Sequence, residues 1–106
     1  MPDLPAERAR YEEEVRALRE VGEALRTLGW TEERMARHLV AARNGLKTLY
    51  RTGLPRTVLT AIEQRNRARY GDPVGPSADQ LLQRYGSWQA VMEAACRPAS
   101  LSNRPR

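Results

Sequence analysis

The spacing of six apolar residues constrains this chain more than any other feature. Tyr11, Val15, Leu18, Val21, Leu25 and Leu28 recur at intervals of three and four. That rhythm lays one apolar stripe along a helix and fits no strand. It predicts a long helix over 5–28, opened by Pro5, whose missing N–H costs nothing in a first turn, and stopped by Gly29. Glu12, Arg16 and Glu20 fall at i, i+4 on its polar side, where opposite charges pair. Gly22 weakens the middle by about 1 kcal/mol relative to Ala, so it marks close packing or a bend.

The rest of the chain supplies more helices and no convincing strand. Thr31, followed by Glu32 and Glu33, predicts the N-cap of a second helix that buries Met35, Leu39 and Val40. Asn44-Gly45 is expected to stop it. A short third helix spans 46–51 and ends at Gly53. A fourth begins at Pro55, turns Val58, Leu59 and Ile62 inward and projects its polar second half into solvent. "GDPVGP" (71–76) cannot continue a helix and reads as a linker. Ser77-x-x-Gln80 is a capping-box pattern. Leu81, Leu82 and Tyr85 give the fifth helix its apolar side. Gly86 then stops that helix, and Ser87 caps a sixth that turns Trp88, Val91, Met92 and Ala95 inward. Tyr85 and Trp88 are expected to pack together at the corner.

The expected fold is therefore all-α: a small single-domain bundle of about six helices with helix-turn-helix-like corners. Residues 1–97 form the domain: N-terminal helices to 70, the linker 71–76, and a corner over 77–97. A flexible basic tail, 98–106, follows. With 106 residues there is room for one modest core.

Charge divides the chain unequally. The formal net charge is +5. Residues 1–33 hold nine acids and five arginines, whereas 34–69 hold nine basic residues against Glu63 alone. That asymmetry predicts a polyanion-binding half. Seventeen of the 18 basic residues are arginine, whose forked guanidinium suits phosphate and base edges. No apolar run approaches the roughly 18 residues of a membrane span, and the N-terminus lacks an apolar signal region. A cytoplasmic protein without membrane partners is the expectation. The lone Cys96 cannot form an internal disulfide and fits a reducing compartment.

Catalysis finds little to work with. His38 is the only histidine and Cys96 the only cysteine, so a zinc site of three or four such ligands is not expected. Cys96 reads as a buried thiol among small apolar residues and His38 as a solvent-facing side chain. The carboxylates cluster before residue 34 at salt-bridge spacing, and no glycine-rich phosphate loop follows a strand. The expectation is a non-enzyme with no cofactor and no metal.

Two segments point instead to DNA. "ARHL", a turn, then "LKTLYR" suggests a helix-turn-helix unit, with Arg43, Lys47, Arg51 and Arg56 around its second helix. Downstream, Arg65 and Arg69 are one helical turn apart and share a face, while Arg67 points elsewhere. The second segment is "PSADQLLQRYGSWQAVMEAAC" (76–96). Its Pro-Ser start, its Arg84-Tyr85-Gly86-Ser87-Trp88 corner and its Ala-Ala end resemble the homing-endonuclease-associated repeat over about residues 70–97. Cys96 stands where that family usually has glycine. The resemblance implies a small helical DNA-binding module; no nuclease motif accompanies it. At the corner, Arg84, Ser87 and Gln89 are the candidate contacts, Gln89 being suited to an adenine edge and the helix N-terminus to a phosphate.

These readings converge on a small non-catalytic protein that binds double-stranded DNA, a regulator or a factor associated with phage or mobile elements. Its expected contacts are Arg43, Lys47, Arg51, Arg56, Arg65, Arg69, Arg84, Ser87 and Gln89. The competing reading is an interaction module that binds an acidic protein, or a second copy of itself, through residues 5–28.

Overall fold

The computed structural model describes residues 4–97; the tail expected over 98–106 lies outside the described residues. Those residues form five helices and no strand: α1 (Leu4–Thr27), α2 (Glu32–Arg51), α3 (Arg56–Tyr70), α4 (Ala78–Tyr85) and α5 (Trp88–Ala95). The all-α expectation holds, with one helix fewer than the sequence suggested.

The difference lies at Asn44-Gly45. Instead of a turn, α2 runs unbroken through both residues. Neither adopts a positive φ, so the left-handed stop never forms. Packing carries the helix across. The inward positions Met35, Ala36, Leu39 and Val40 continue at helical spacing into the part-buried Arg43, Leu46, Lys47 and Tyr50, so packing outweighs the roughly 1 kcal/mol that glycine costs mid-helix. The Thr48 hydroxyl also donates to the Asn44 carbonyl at 3.0 Å.

The helix ends follow local chemistry. Gly29 takes φ 84° and lets the Trp30 N–H reach the Leu25 carbonyl at 3.2 Å, closing α1; only glycine adopts that conformation without strain. Thr31 caps α2 by accepting from the Arg34 N–H at 3.2 Å. The Ser77–Gln80 capping box is present in both directions. Ser87 caps α5 by accepting from the Ala90 N–H at 3.1 Å. Pro55 sits at the N-cap of α3, one place before the helix rather than inside it.

α2 is the central element, packed against α1 on one side and α4 and α5 on another. The core joins Leu18 and Leu25 from α1, Met35, Ala36, Leu39 and Val40 from α2, Leu81 from α4, and Val91, Met92 and Ala95 from α5. Gly22 lies where α1 meets α2, and a Cβ there would come within 3.3 Å of Leu39 Cδ1, so close packing rather than a bend is its role. The first stripe is only partly used: Leu28 is 72% exposed and Val21 37%, because Leu28 lies at the turn that ends α1 and Val21 sits at the edge of the buried face.

α3 is different in kind. It shares no extended packing face with any other helix. Val58, expected inward, is exposed, and Leu59 and Ile62 are half-buried. Its anchor is Asn66, the one buried polar residue among those described, whose side-chain amide donates to the carbonyls of Pro73 (3.0 Å) and Val74 (3.3 Å). The Arg51 guanidinium donates to the same Pro73 carbonyl at 3.2 Å. The 71–76 linker is thereby tied to both α2 and α3. No described helix is long and apolar enough to cross a membrane.

Candidate functional site

Arg43, Lys47 and Arg51 follow one another at intervals of four, so the unbroken α2 stacks them along one face. α3 stands opposite, with Arg65 and Arg69 one turn apart. Between them opens a cleft of about 730 Å³ that all five of these residues line. Arg8 of α1, Arg84 of α4 and Arg97 beyond α5 complete its cationic lining. No aspartate or glutamate lines it among the described residues. A carboxylate is nevertheless close in two places: Glu12 holds Arg8 at 3.2 Å, and the field of Glu63 reaches Arg51.

Several of these cations are fixed by the protein itself. Arg43 donates to the Ala94 carbonyl at 3.0 Å, while its Nε is buried without a partner. Arg51 is held by Pro73, as above, and burial lowers its pKa from the ordinary arginine value. Lys47, Arg65 and Arg69 make no hydrogen bond or ion pair with any described residue. Lys47 is the chain's only lysine. Burial, and then the positive charges of Arg43 and Arg51, push its pKa down to about 8. Its ammonium lies over Gly75, where an ideal Cβ would stand 2.8 Å from Nζ. A recessed ammonium flanked by two guanidinium groups, with no anion of its own, is an arrangement that an external anion relieves.

The cleft is also aromatic. All four tyrosines of the chain, Tyr11, Tyr50, Tyr70 and Tyr85, line it. Tyr11 and Tyr50 stack on each other at 5.3 Å between centroids, and Arg8 donates to the Tyr50 hydroxyl at 3.3 Å. Tyr85 remains 44% exposed, with the Arg84 guanidinium 5.9 Å from its ring centre.

Six of the nine sequence-predicted contacts meet here: Arg43, Lys47, Arg51, Arg65, Arg69 and Arg84. Three do not line the cleft. Arg56 is exposed at the start of α3. The Ser87 hydroxyl is engaged as the α5 cap. Gln89 faces solvent and donates to Glu93 at 3.4 Å. Arg67 points away, as its spacing from Arg65 and Arg69 implied.

Two geometric expectations change. Residues 43, 47 and 51 belong to the middle and end of one long helix that floors a recess, so "ARHL…LKTLYR" is not a helix-turn-helix. At the second corner Tyr85 and Trp88 make no ring contact. Trp88 packs against the core beneath Arg37, whose guanidinium lies 5.0 Å from its ring centre. Arg37 is itself held by Asp79 at 2.9 Å and Glu33 at 3.0 Å. Tyr85 is thereby left to the cleft.

Arg8, Arg97, Tyr11, Tyr50 and Tyr70 escaped the sequence reading. Arg8 is in fact held by Glu12, its i+4 neighbour, while still lining the cleft. The one available signal was compositional: four tyrosines and no phenylalanine, an excess of aromatic rings carrying a polar tip. Elsewhere, Cys96 is buried and burial raises its pKa, which suits an inert structural thiol. His38 is exposed and meets Trp30 edge-on at 5.6 Å. No group of three or more His, Cys, Asp or Glu among the described residues is placed to hold a metal ion. No family model, curated protein or solved structure matches the chain.

Proposed function

We propose that this chain is a small, non-catalytic DNA-binding protein that engages phosphates in the cleft between α2 and α3. The observation that carries this reading is the lining itself: eight cationic side chains converge on one cleft with no carboxylate among its described lining residues. Ordinary surfaces intersperse both signs. A concave wall of one sign concentrates the field and attracts a polyanion, and phosphate is the polyanion that arginine forks fit best. The resemblance of the α4–α5 corner to the homing-endonuclease-associated repeat agrees with this reading, in which the corner delivers Arg84 to the cleft. Roles in regulation or in phage and mobile elements belong to the same proposal.

Binding of a labelled oligodeoxynucleotide, followed by fluorescence anisotropy at 50 and 200 mM salt, tests the reading. Displacing counterions from several phosphates gives a steep loss of affinity with salt. Arg65→Glu together with Arg69→Glu abolishes binding while leaving the fold intact, because both side chains are exposed and make no contacts that the bundle needs. Binding that is weak and insensitive to salt overturns the proposal. Purification with a single acidic protein and no nucleic acid favours the interaction-module reading instead.

A further inference from the structure

We infer that the cleft takes a single strand rather than a duplex: its phosphates lie at Lys47, Arg65 and Arg69, and a base stacks on Tyr85. The inference rests on the DNA-binding reading above and specifies the form of nucleic acid.

Shape is the first argument. Reading a duplex in its major groove requires an element that protrudes, because the groove must receive it. Here the densest cations line a recess. Arg43, Lys47 and Arg51 are all part-buried on the floor of the cleft, and the unpartnered Lys47 ammonium sits against Gly75. The phosphates of a rigid duplex stay at the rim of such a recess. A single strand is flexible enough to follow it inward.

Aromatic surface is the second argument. A duplex hides the faces of its bases, whereas a single strand offers every one of them to a ring. The cleft pairs cations with tyrosines throughout. Tyr11 and Tyr50 already cover each other, but Tyr85 has no aromatic ring partner among the described residues and is 44% exposed. The Arg84 guanidinium lies over one face of the Tyr85 ring, 5.9 Å from its centre, so a base stacks on the opposite face with a cation near its phosphate. A cationic track beside an exposed aromatic ring is the combination that sequence-tolerant single-strand binding uses.

Volume is the third. About 730 Å³ lies within the usual range of roughly 300–1,000 Å³ for sites that enclose small ligands. That is room for a short run of nucleotides, not for the cross-section of a double helix.

The test compares the full-length chain with three probes at 50 mM salt: a twelve-residue oligothymidine, a twelve-base-pair duplex and inorganic polyphosphate. The single strand is expected to bind at least tenfold tighter than the duplex. Tyr85→Ala weakens it about tenfold, in line with the loss of one stacked base, and leaves polyphosphate binding within twofold. Tyr85→Trp retains the affinity. Circular dichroism checks that each variant is folded, and the exposure of Tyr85 makes both changes compatible with the bundle. Less than a threefold preference for the single strand, or less than a threefold loss in Tyr85→Ala, overturns the inference while DNA binding stands. Failure of both DNA probes to bind overturns the DNA reading as well.

Discussion

Lys47 concentrates the physics of the site in one side chain. Its pKa lies at about 8, against an ordinary 10.5. Below pH 8 it is charged in both the folded and the unfolded chain, and the cost of burying that charge, roughly 3 kcal/mol at most, is felt in full. Between about 8 and 10.5 the unfolded chain keeps a proton that the folded chain has released. Stability therefore rises with pH across that window, and above it the cost is gone. Lys47→Met should gain about 1–3 kcal/mol at pH 7 and lose this rise with pH, as urea unfolding at pH 7 and 9.5 would show. Ligand affinity moves the other way. A phosphate favours the protonated amine, so DNA binding at fixed salt should weaken as pH rises through about 8, and should not do so in Lys47→Met. Gly75→Ala probes the same spot: the new methyl collides with Nζ, and its φ of 150° strains any other residue. The flexible ammonium is what gives way, so affinity should fall several-fold with about 1 kcal/mol of lost stability.

The elements matter because one of them is longer than it looks. Gly45 lies inside α2 with open space where a Cβ would stand. Gly45→Ala should stabilise the protein by about 1 kcal/mol, raising Tm by roughly 4–8 °C in a differential scanning experiment. A left-handed turn at that glycine would give the opposite sign. Most helix ends were legible in the sequence because each is a local event. Thr31, Ser77 and Ser87 cap, Gly29 and Gly86 stop, and no distant residue is needed. Asn44-Gly45 misled because the same dipeptide is tolerated inside a helix whose inward side is covered by other elements. Tyr85 and Trp88 misled for a related reason. Their proximity in sequence suggested a mutual contact, but Arg37, 51 positions before Trp88, takes the tryptophan. The cationic residues of the site were visible one at a time. That six of them meet, and that all four tyrosines join them, depends on how the linker sets α3 across the cleft from α2, which no local pattern encodes.

At the scale of the molecule, the cleft has one firm wall and one light one. α2 is buried among three helices, whereas α3 is held chiefly by Asn66 and the linker it grips. Amide hydrogen exchange should therefore be fastest in α3 among the helices and slowest in α2 and α5. Asn66→Ala takes the side-chain donor from the Val74 carbonyl and leaves the Pro73 carbonyl to Arg51 alone, and should accelerate exchange in α3 further while α1 and α2 keep their protection. The carboxylate-free lining has a colloidal consequence too. The chain holds itself apart from its own copies by a net charge of +5. A bound strand brings phosphates that offset that charge, and mutual repulsion between loaded molecules falls. Light scattering during a titration should then rise near charge equivalence and fall again beyond it, so that occupancy of the cleft itself governs whether neighbouring copies gather.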